Sequence, residues 1–251
     1  AALATSIKLC EDYNYAEYNL NIGCPSPRVQ KGSFGVCLLK DISLVAECVA
    51  AMTQATDKPI TVKTRIGVDD VDSYEHLYNF IDRVSAAGCK CFIVHARKAW
   101  LKGLNPAQNR SVPPLCYEVV YNLKKDFPNL EIIINGGIST LKQCQDHLQF
   151  VDGVMIGRAA YNNPFFISEL ATELGSGSND ITAVLHDYVD YCANALDAGA
   201  SWSNLLRHLF GFANSRRGAK DWRRSISRII QDGVNLKALA SMLEDKKYIF
   251  V

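Results

Sequence analysis

The amino-acid sequence predicts an α/β fold: a parallel sheet wrapped by helices over residues 1–175, followed by a small all-helical domain over 181–251. Three observations predict it. Strand and helix patterns alternate strictly along the first part, and each of its five strand segments is a short, strongly apolar run. Such runs belong to parallel strands covered by helices. The polar residues of each unit gather at the C-terminal end of its strand, the edge where parallel α/β proteins bind ligands.

Taken in order, residues 1–15 read as one amphipathic helix. In the first strand Tyr18, Leu20 and Ile22 alternate with Asn19, Asn21 and Gly23, which gives it two unlike faces. Asparagine is a poor strand former, so a face with two of them must satisfy them through other side chains or a ligand. Asp41 is an N-cap for a helix over 42–55, with Leu44, Val45, Cys48, Val49 and Met52 on its buried stripe. Lys58-Pro59 ends that helix, and residues 60–66 read as the second strand. Ser73 caps a helix to Ala87 ahead of Gly88, and residues 89–95 form the third strand. A long polar loop with prolines runs from Ala96 to Pro113. A helix over 115–126 stops before Pro128, and residues 130–134 form the fourth strand. The loop Asn135-Gly136-Gly137, a helix over 140–149 and a short strand over 151–156 follow. Asn163-Pro164 opens a helix to Leu174, and Gly175-Ser176-Gly177-Ser178-Asn179-Asp180 is a linker. From 181 to 245 only helical period is present.

Composition narrows the class. A hydrophobic content of 48% with 21% charged residues excludes a mostly disordered chain. No apolar run reaches the roughly 18 residues of a membrane span, and no signal-peptide pattern is present. The chain has no initiator Met and opens inside an amphipathic pattern (Leu3, Ile7, Cys10), so a truncated or processed start is expected. Nine cysteines without framework spacing read as reduced thiols of an intracellular protein, in the cytoplasm or an organelle. Cys89 and Cys91 are too close in sequence for a zinc pair, so no metal is expected. The net charge of +1 conceals an asymmetry: between Arg207 and Arg228 seven basic residues face one acid, Asp221, a segment of +6 that leaves −5 for the rest. A basic face on a nearly neutral protein points to a polyanionic partner.

The chemistry lies at the strand ends. Gly23-Cys24-Pro25 would hold one thiol there; read alone, it is a core strand ending in a structural cysteine. The other strands change that reading. Lys63 and Arg65 sit two apart and share a face, and His95 and Arg97 are expected to do the same. The fourth strand ends in Asn135-Gly136-Gly137 and the fifth in Gly157-Arg158. In (β/α)8 barrels the loops after the last two strands make phosphate sites from backbone N–H groups and a helix N-terminus. The glycines allow that approach, Arg158 adds a bidentate contact, and together they point to a phosphorylated cofactor. Lys63 in a barrel mouth would suit the electron-rich pyrimidine side of a reduced flavin, and His95 beside Arg97 reads as a cofactor contact.

Asn19-Leu20-Asn21-Ile22-Gly23-Cys24-Pro25-Ser26, Arg28-Val29-Gln30, Val62-Lys63-Thr64-Arg65-Ile66-Gly67, Asn135-Gly136-Gly137-Ile138 and Asp152-Gly153-Val154-Met155-Ile156-Gly157-Arg158 resemble the tRNA-dihydrouridine synthases. His95-Ala96-Arg97-Lys98-Ala99-Trp100-Leu101 resembles the A-type branch of bacteria and plants, and the match runs over nearly all of residues 1–230. The resemblance implies an FMN-binding (β/α)8 (TIM) barrel, present here as its last five β/α units, with a helical tRNA-binding domain behind it. The family's first three strands, with a Pro-Met loop and a Gln that touch the flavin, would lie about 75 residues ahead of this chain. It also implies the chemistry: NADPH reduces FMN, a hydride passes to C6 of a D-loop uridine at position 20 or 20a, and a cysteine protonates C5. By resemblance Cys24 is that proton donor, a task that suits a thiol of ordinary pKa near 8.5. Lys63, His95, Asn135, Gly136, Gly137, Gly157 and Arg158 match the FMN-binding positions, and Asn21 matches a contact to the tRNA or its target base.

RNA contacts are expected outside the barrel as well. Ser215-Arg216-Arg217-Gly218-Ala219-Lys220-Asp221-Trp222-Arg223-Arg224 resembles the A-type Gly-Ala-Arg-x-Trp-Arg-Arg element. On a helix Trp222, Ile226, Ile229 and Ile230 share an apolar side, and Arg223, Arg224, Ser227 and Arg228 lie largely off it. That makes a phosphate platform. Arg97, Lys102 and Arg110 are further tRNA contacts, Arg110 by its match to a position that orients tRNA. Two other readings compete: an FMN barrel with a small substrate, as in dihydroorotate dehydrogenases, and a truncated, non-catalytic RNA-binding product. The expected partners are tRNA, FMN and NADPH, with no membrane or metal and a monomeric chain.

Overall fold

The five apolar runs form one parallel sheet in the computed structural model, which describes residues 2–175, 180–214, 216–232 and 236–244. The strands are β1 (Tyr18–Ile22), β2 (Ile60–Arg65), β3 (Cys91–His95), β4 (Glu131–Asn135) and β5 (Gly153–Met155), side by side in chain order. Between them run α1 (Ala2–Cys10), α2 (Pro27–Lys31), α3 (Ile42–Thr53), α4 (Tyr74–Ala86), α5 (Tyr117–Asp126) and α6 (Leu141–Leu148). Side chains alternate along a strand, so register decides what each face carries. Leu20, Val62, Phe92 and Ile132 form one cross-strand row, and Ile22, Thr64, Val94, Ile134 and Val154 the next. Most of these are fully buried, and α3 and α5 pack against the sheet. The other face carries Asn21, Lys63, Ile93, Ile133 and Gly153 in one row and Arg65, His95, Asn135 and Met155 in the next.

Local chemistry sets the helix ends. The Asp41 carboxylate accepts the Leu44 N–H (3.1 Å) and starts α3; the Ser73 hydroxyl accepts the His76 N–H (3.1 Å) and starts α4. On α3 the buried stripe is Val45, Val49 and Met52, whereas Leu44, expected on it, is 41% exposed. A stripe centred on Val45 and Val49 leaves Leu44 about 100° away around the helix. The helix expected over 1–15 stops at Cys10 and gives way to a tighter turn over Glu11–Tyr13, because Asn14 takes a left-handed conformation (φ 49°) that asparagine tolerates. Two short elements had no clear periodic signal. In α2, Pro27 sits at the first position and Ser26 caps it; the other is a 3-10 turn over Gly35–Lys40.

The described chain divides into two compact units, Ala1–Ile138 with Lys142–Ile156, and Ser139–Leu141 with Gly157–Val251. The second holds α7 (Arg158–Asn162), α8 (Phe165–Glu173), α9 (Ile181–Asp197), α10 (Trp202–Leu206), α11 (Ala219–Gln231) and α12 (Leu236–Glu244). Its boundary precedes the 175–180 linker, of which residues 176–179 lie outside the described residues. The reason is Phe165, which packs against Phe212 (ring centroids 4.9 Å apart) in the helical core and draws residues 157–175 into that unit. Trp222 is the centre of this core: fully buried, stacked on Phe212 at 5.5 Å, and donating its indole N–H to the Leu209 carbonyl (2.6 Å). Trp222→Ala is expected to destabilise the helical unit by about 3–5 kcal/mol, and exposed Arg223→Ala by under about 0.5 kcal/mol, in urea unfolding followed by far-UV circular dichroism.

Candidate active site

Cys24 sits one turn beyond β1, half-buried, and the backbone on both sides of it is held. The Asn21 side-chain oxygen accepts the N–H groups of Gly23 (3.0 Å) and Cys24 (3.2 Å). The Cys24 carbonyl accepts the Val36 N–H (3.0 Å). The second asparagine of the strand is also satisfied inside the protein: the Asn19 amide donates to the Thr61 hydroxyl (2.8 Å).

Arg65, only 3% exposed, continues the anchoring. Its Nε donates to the Gly23 carbonyl (2.9 Å), and its Nη1 to the carbonyls of Lys98 (3.2 Å) and Asn109 (3.0 Å). Burial lowers its pKa to about 10; the Cys24 thiol opposes that fall, while Arg110 and Arg97 add to it. Arg65 is therefore a charged group throughout the neutral range, committed to three carbonyls, one after β1 and two on the loop after β3.

On the same face, Lys63 donates to the Asn135 side-chain oxygen (3.2 Å), and the Asn135 amide donates to the Met155 carbonyl (2.8 Å). Burial pushes the Lys63 ammonium down to about 8, with the Arg65 charge adding to the fall, and no carboxylate offsets either effect. His95, beside Arg65 and Asn135 in register, closes against Gly136. Gly136 has φ +125°, and a Cβ there would lie 2.8 Å from the imidazole Cδ2, so only glycine lets the ring come this near. The Tyr117 hydroxyl donates to the Gly136 carbonyl (2.7 Å) and steadies the Gly136-Gly137 turn.

Arg97 lies beyond the end of β3, and its charge acts on Arg65 and on Tyr117. The chain turns sharply after His95, with the Arg97 N–H donating back to the His95 carbonyl (2.7 Å), so the alternation that would place both on one face ends at the strand. The Arg97 guanidinium donates to the Pro113 carbonyl and so fastens the far end of the 98–113 loop. Inside that loop fully buried Asn109 accepts the Trp100 N–H (2.8 Å) and donates to the Trp100 carbonyl (2.9 Å). Lys102 and Arg110 are exposed on it. Asn109 and the anchoring part of Arg65 escaped the sequence reading, because their partners are mostly backbone carbonyls; only Arg65's place beside Lys63 was legible.

Gly157 and Arg158 lie exposed at the head of α7, in the second unit. Arg223 and Arg224 are exposed on α11 and line an open groove with Lys220, Ser227, Arg228 and Gln231. Arg224 makes a loose pair with Asp221 (3.6 Å). All nine cysteines are free thiols, and burial raises those of Cys89 and Cys91 to about 12, which keeps both neutral. Among the described residues no cluster of His, Cys, Asp and Glu could hold a metal, and no helix is long and apolar enough to cross a membrane.

A parallel sheet that brings a cysteine turn, a half-buried lysine, a histidine and an Asn-Gly-Gly turn to the carboxyl ends of its strands defines an α/β enzyme of the barrel class. The chain belongs to the dihydrouridine synthase (Dus) family, whose model matches residues 1–247. It is 50% identical over 228 residues to the tRNA-dihydrouridine(20/20a) synthase of Shewanella oneidensis, which covers 90% of this chain and 68% of that protein. The tRNA-dihydrouridine(20/20a) synthase of Pasteurella multocida is 48% identical over 228 residues (90% and 70%). That of Escherichia coli K12 is 49% identical over 231 residues (90% and 67%). Among solved structures, a phosphoenolpyruvate phosphomutase from Streptomyces platensis aligns over 96% of this chain and 90% of its own at 12% identity and a TM-score of 0.48, too slight a likeness to carry an argument.

The Lys63 shift has a definite sign. Its pKa falls from the usual 10.5 to about 8, so between those values the unfolded chain binds more protons, and stability rises with pH across that window. Below it the penalty of a buried charge is complete. Lys63→Met is expected to be more stable than the parent at pH 7, with the difference shrinking from pH 8 to 10.5 in paired urea titrations.

Proposed function

We propose that this chain reduces a D-loop uridine of tRNA, at position 20 or 20a, to 5,6-dihydrouridine, with FMN as cofactor and NADPH as reductant. Family membership and relatives named for that reaction support the reading. The observation that carries it is a cysteine turn fixed by Asn21 and Arg65 on the same sheet edge as a half-buried lysine whose pKa is lowered with no carboxylate to offset the fall. Such a cation fits an electron-rich ring or a phosphate, which would restore the charge balance that burial has upset.

Lys63, His95, Asn135, Gly136 and Gly137 are the residues of the first unit that would hold the flavin; the role proposed for Gly157 and Arg158 rests on their match to the family's cofactor positions alone. Reduced FMN, renewed by NADPH, would supply the hydride that C6 of the uracil accepts. Cys24 acts on the neighbouring carbon: its Sγ–H bond breaks as the C5–H bond forms, and solvent later returns a proton to the thiolate. Asn21 holds the thiol turn through its oxygen, and its amide hydrogens serve a carbonyl of the target base. Arg97 fastens the loop that carries Lys102 and Arg110. These two, with Arg223 and Arg224 on α11, take phosphates of an RNA whose base must leave its stack to be reached.

With FMN, NADPH and unmodified tRNA, Cys24→Ala is expected to lower dihydrouridine formation by about 10²–10⁴-fold, read by nucleoside mass spectrometry, while NADPH still bleaches the flavin. A loss of less than about tenfold would remove Cys24 from the proton-donor role.

A further inference from the structure

We propose that Gln30 is a positioning residue for the Cys24 thiol, the tie through which the 98–113 loop sets the thiol-bearing turn. Both hydrogens of its side-chain amide are spent on carbonyls far apart in sequence. One goes to Pro25 (3.2 Å), the residue after Cys24, and the other to Leu101 (2.9 Å), 71 positions from Gln30. The residue before Cys24 is treated alike, since Arg65 holds the Gly23 carbonyl and also the loop carbonyls of Lys98 and Asn109. Each carbonyl flanking the thiol is therefore bound by a side chain that binds the loop as well.

The loop end of the tie is rigid. The Leu101 N–H donates to the Asp69 carboxylate (2.9 Å), which also pairs with Lys40 (2.9 Å). Burial alone would raise the Asp69 carboxyl, but the Leu101 N–H and the Lys40 ammonium outweigh it and hold the pKa below the usual range. The Leu101 peptide is thus gripped on both sides, by Asp69 at its nitrogen and Gln30 at its oxygen. Exposed Lys102 is the next residue, so a phosphate bound there pulls directly on the gripped peptide, and Gln30 passes the displacement to Pro25. The coupling rests on the proposed RNA role of this loop; the tie itself does not.

The test uses Gln30→Met, which keeps length and volume but donates nothing. Gln30→Glu, which sets acceptor oxygens against the two carbonyls, replaces it if circular dichroism shows the first variant unfolded. Iodoacetamide labelling is followed by peptide mass spectrometry, with and without saturating tRNA, taking Cys10 on α1 as the internal reference. Without RNA, the Cys24 labelling rate is expected to change by about fivefold or more in the variant while Cys10 stays within about twofold. Added tRNA is expected to shift the Cys24 rate in the parent and not in the variant, with tRNA affinity held within about threefold. An unchanged Cys24 rate in the variant overturns the tie, and a tRNA shift that is absent from the parent or persists in the variant overturns the coupling. A parent that binds no tRNA overturns the proposed function, and the labelling without RNA still decides the tie.

Discussion

A buried guanidinium cannot be left unpaired, and that requirement at Arg65 organises the edge of the sheet. Without acceptors inside the protein the charge on its rigid fork becomes prohibitive. Arg65 Nε and Nη1 find three carbonyls, one at the end of β1 and two on the loop after β3, joining Gly23, Lys98 and Asn109 around one side chain. A lysine at this position could not hold three separate directions in the same way. The turn that presents Cys24 is consequently built from chain segments distant in sequence, and it keeps its shape only while Arg65 stays buried and satisfied.

Next to it lies the opposite situation. Lys63 is half-buried and leans on one amide oxygen, and partial burial, with the Arg65 charge adding to it, lowers its pKa to about 8. A fold selected for stability alone would pair or remove such a charge. Functional sites keep unfavourable groups where a ligand completes them, and the stability is lost in exchange for binding. The two basic residues of β2 therefore divide the work: Arg65 is held by three carbonyls and shapes the site, whereas Lys63 has one amide oxygen and is the group proposed to meet a ligand.

The strands were legible because each is an apolar run with a polar terminus, and the shared face of Lys63 and Arg65 followed from counting by two along β2. Helix starts at Asp41 and Ser73 were legible because capping uses a side chain, which a sequence displays. The bond from Arg97 to the Pro113 carbonyl was not legible, because periodicity cannot tell where a strand stops, and the chain turns one residue after His95. The contacts of Gln30 and Asn109 were invisible for another reason. Their partners are chiefly carbonyls, which every residue possesses, so no residue type signals a bond from Gln30 to Leu101 across 71 positions. The early end of α1 at Cys10 and the exposure of Leu44 are tertiary outcomes that override local pattern.

The visible absorption spectrum of the chain, taken after saturation with FMN and desalting, tests the central claim most directly. The expected result is a retained flavin band in the parent protein that Lys63→Met weakens, because the ammonium without a carboxylate is the group that an electron-rich ring completes. A colourless parent protein would contradict it, and the half-buried Lys63 would then need another ligand or a purely structural explanation.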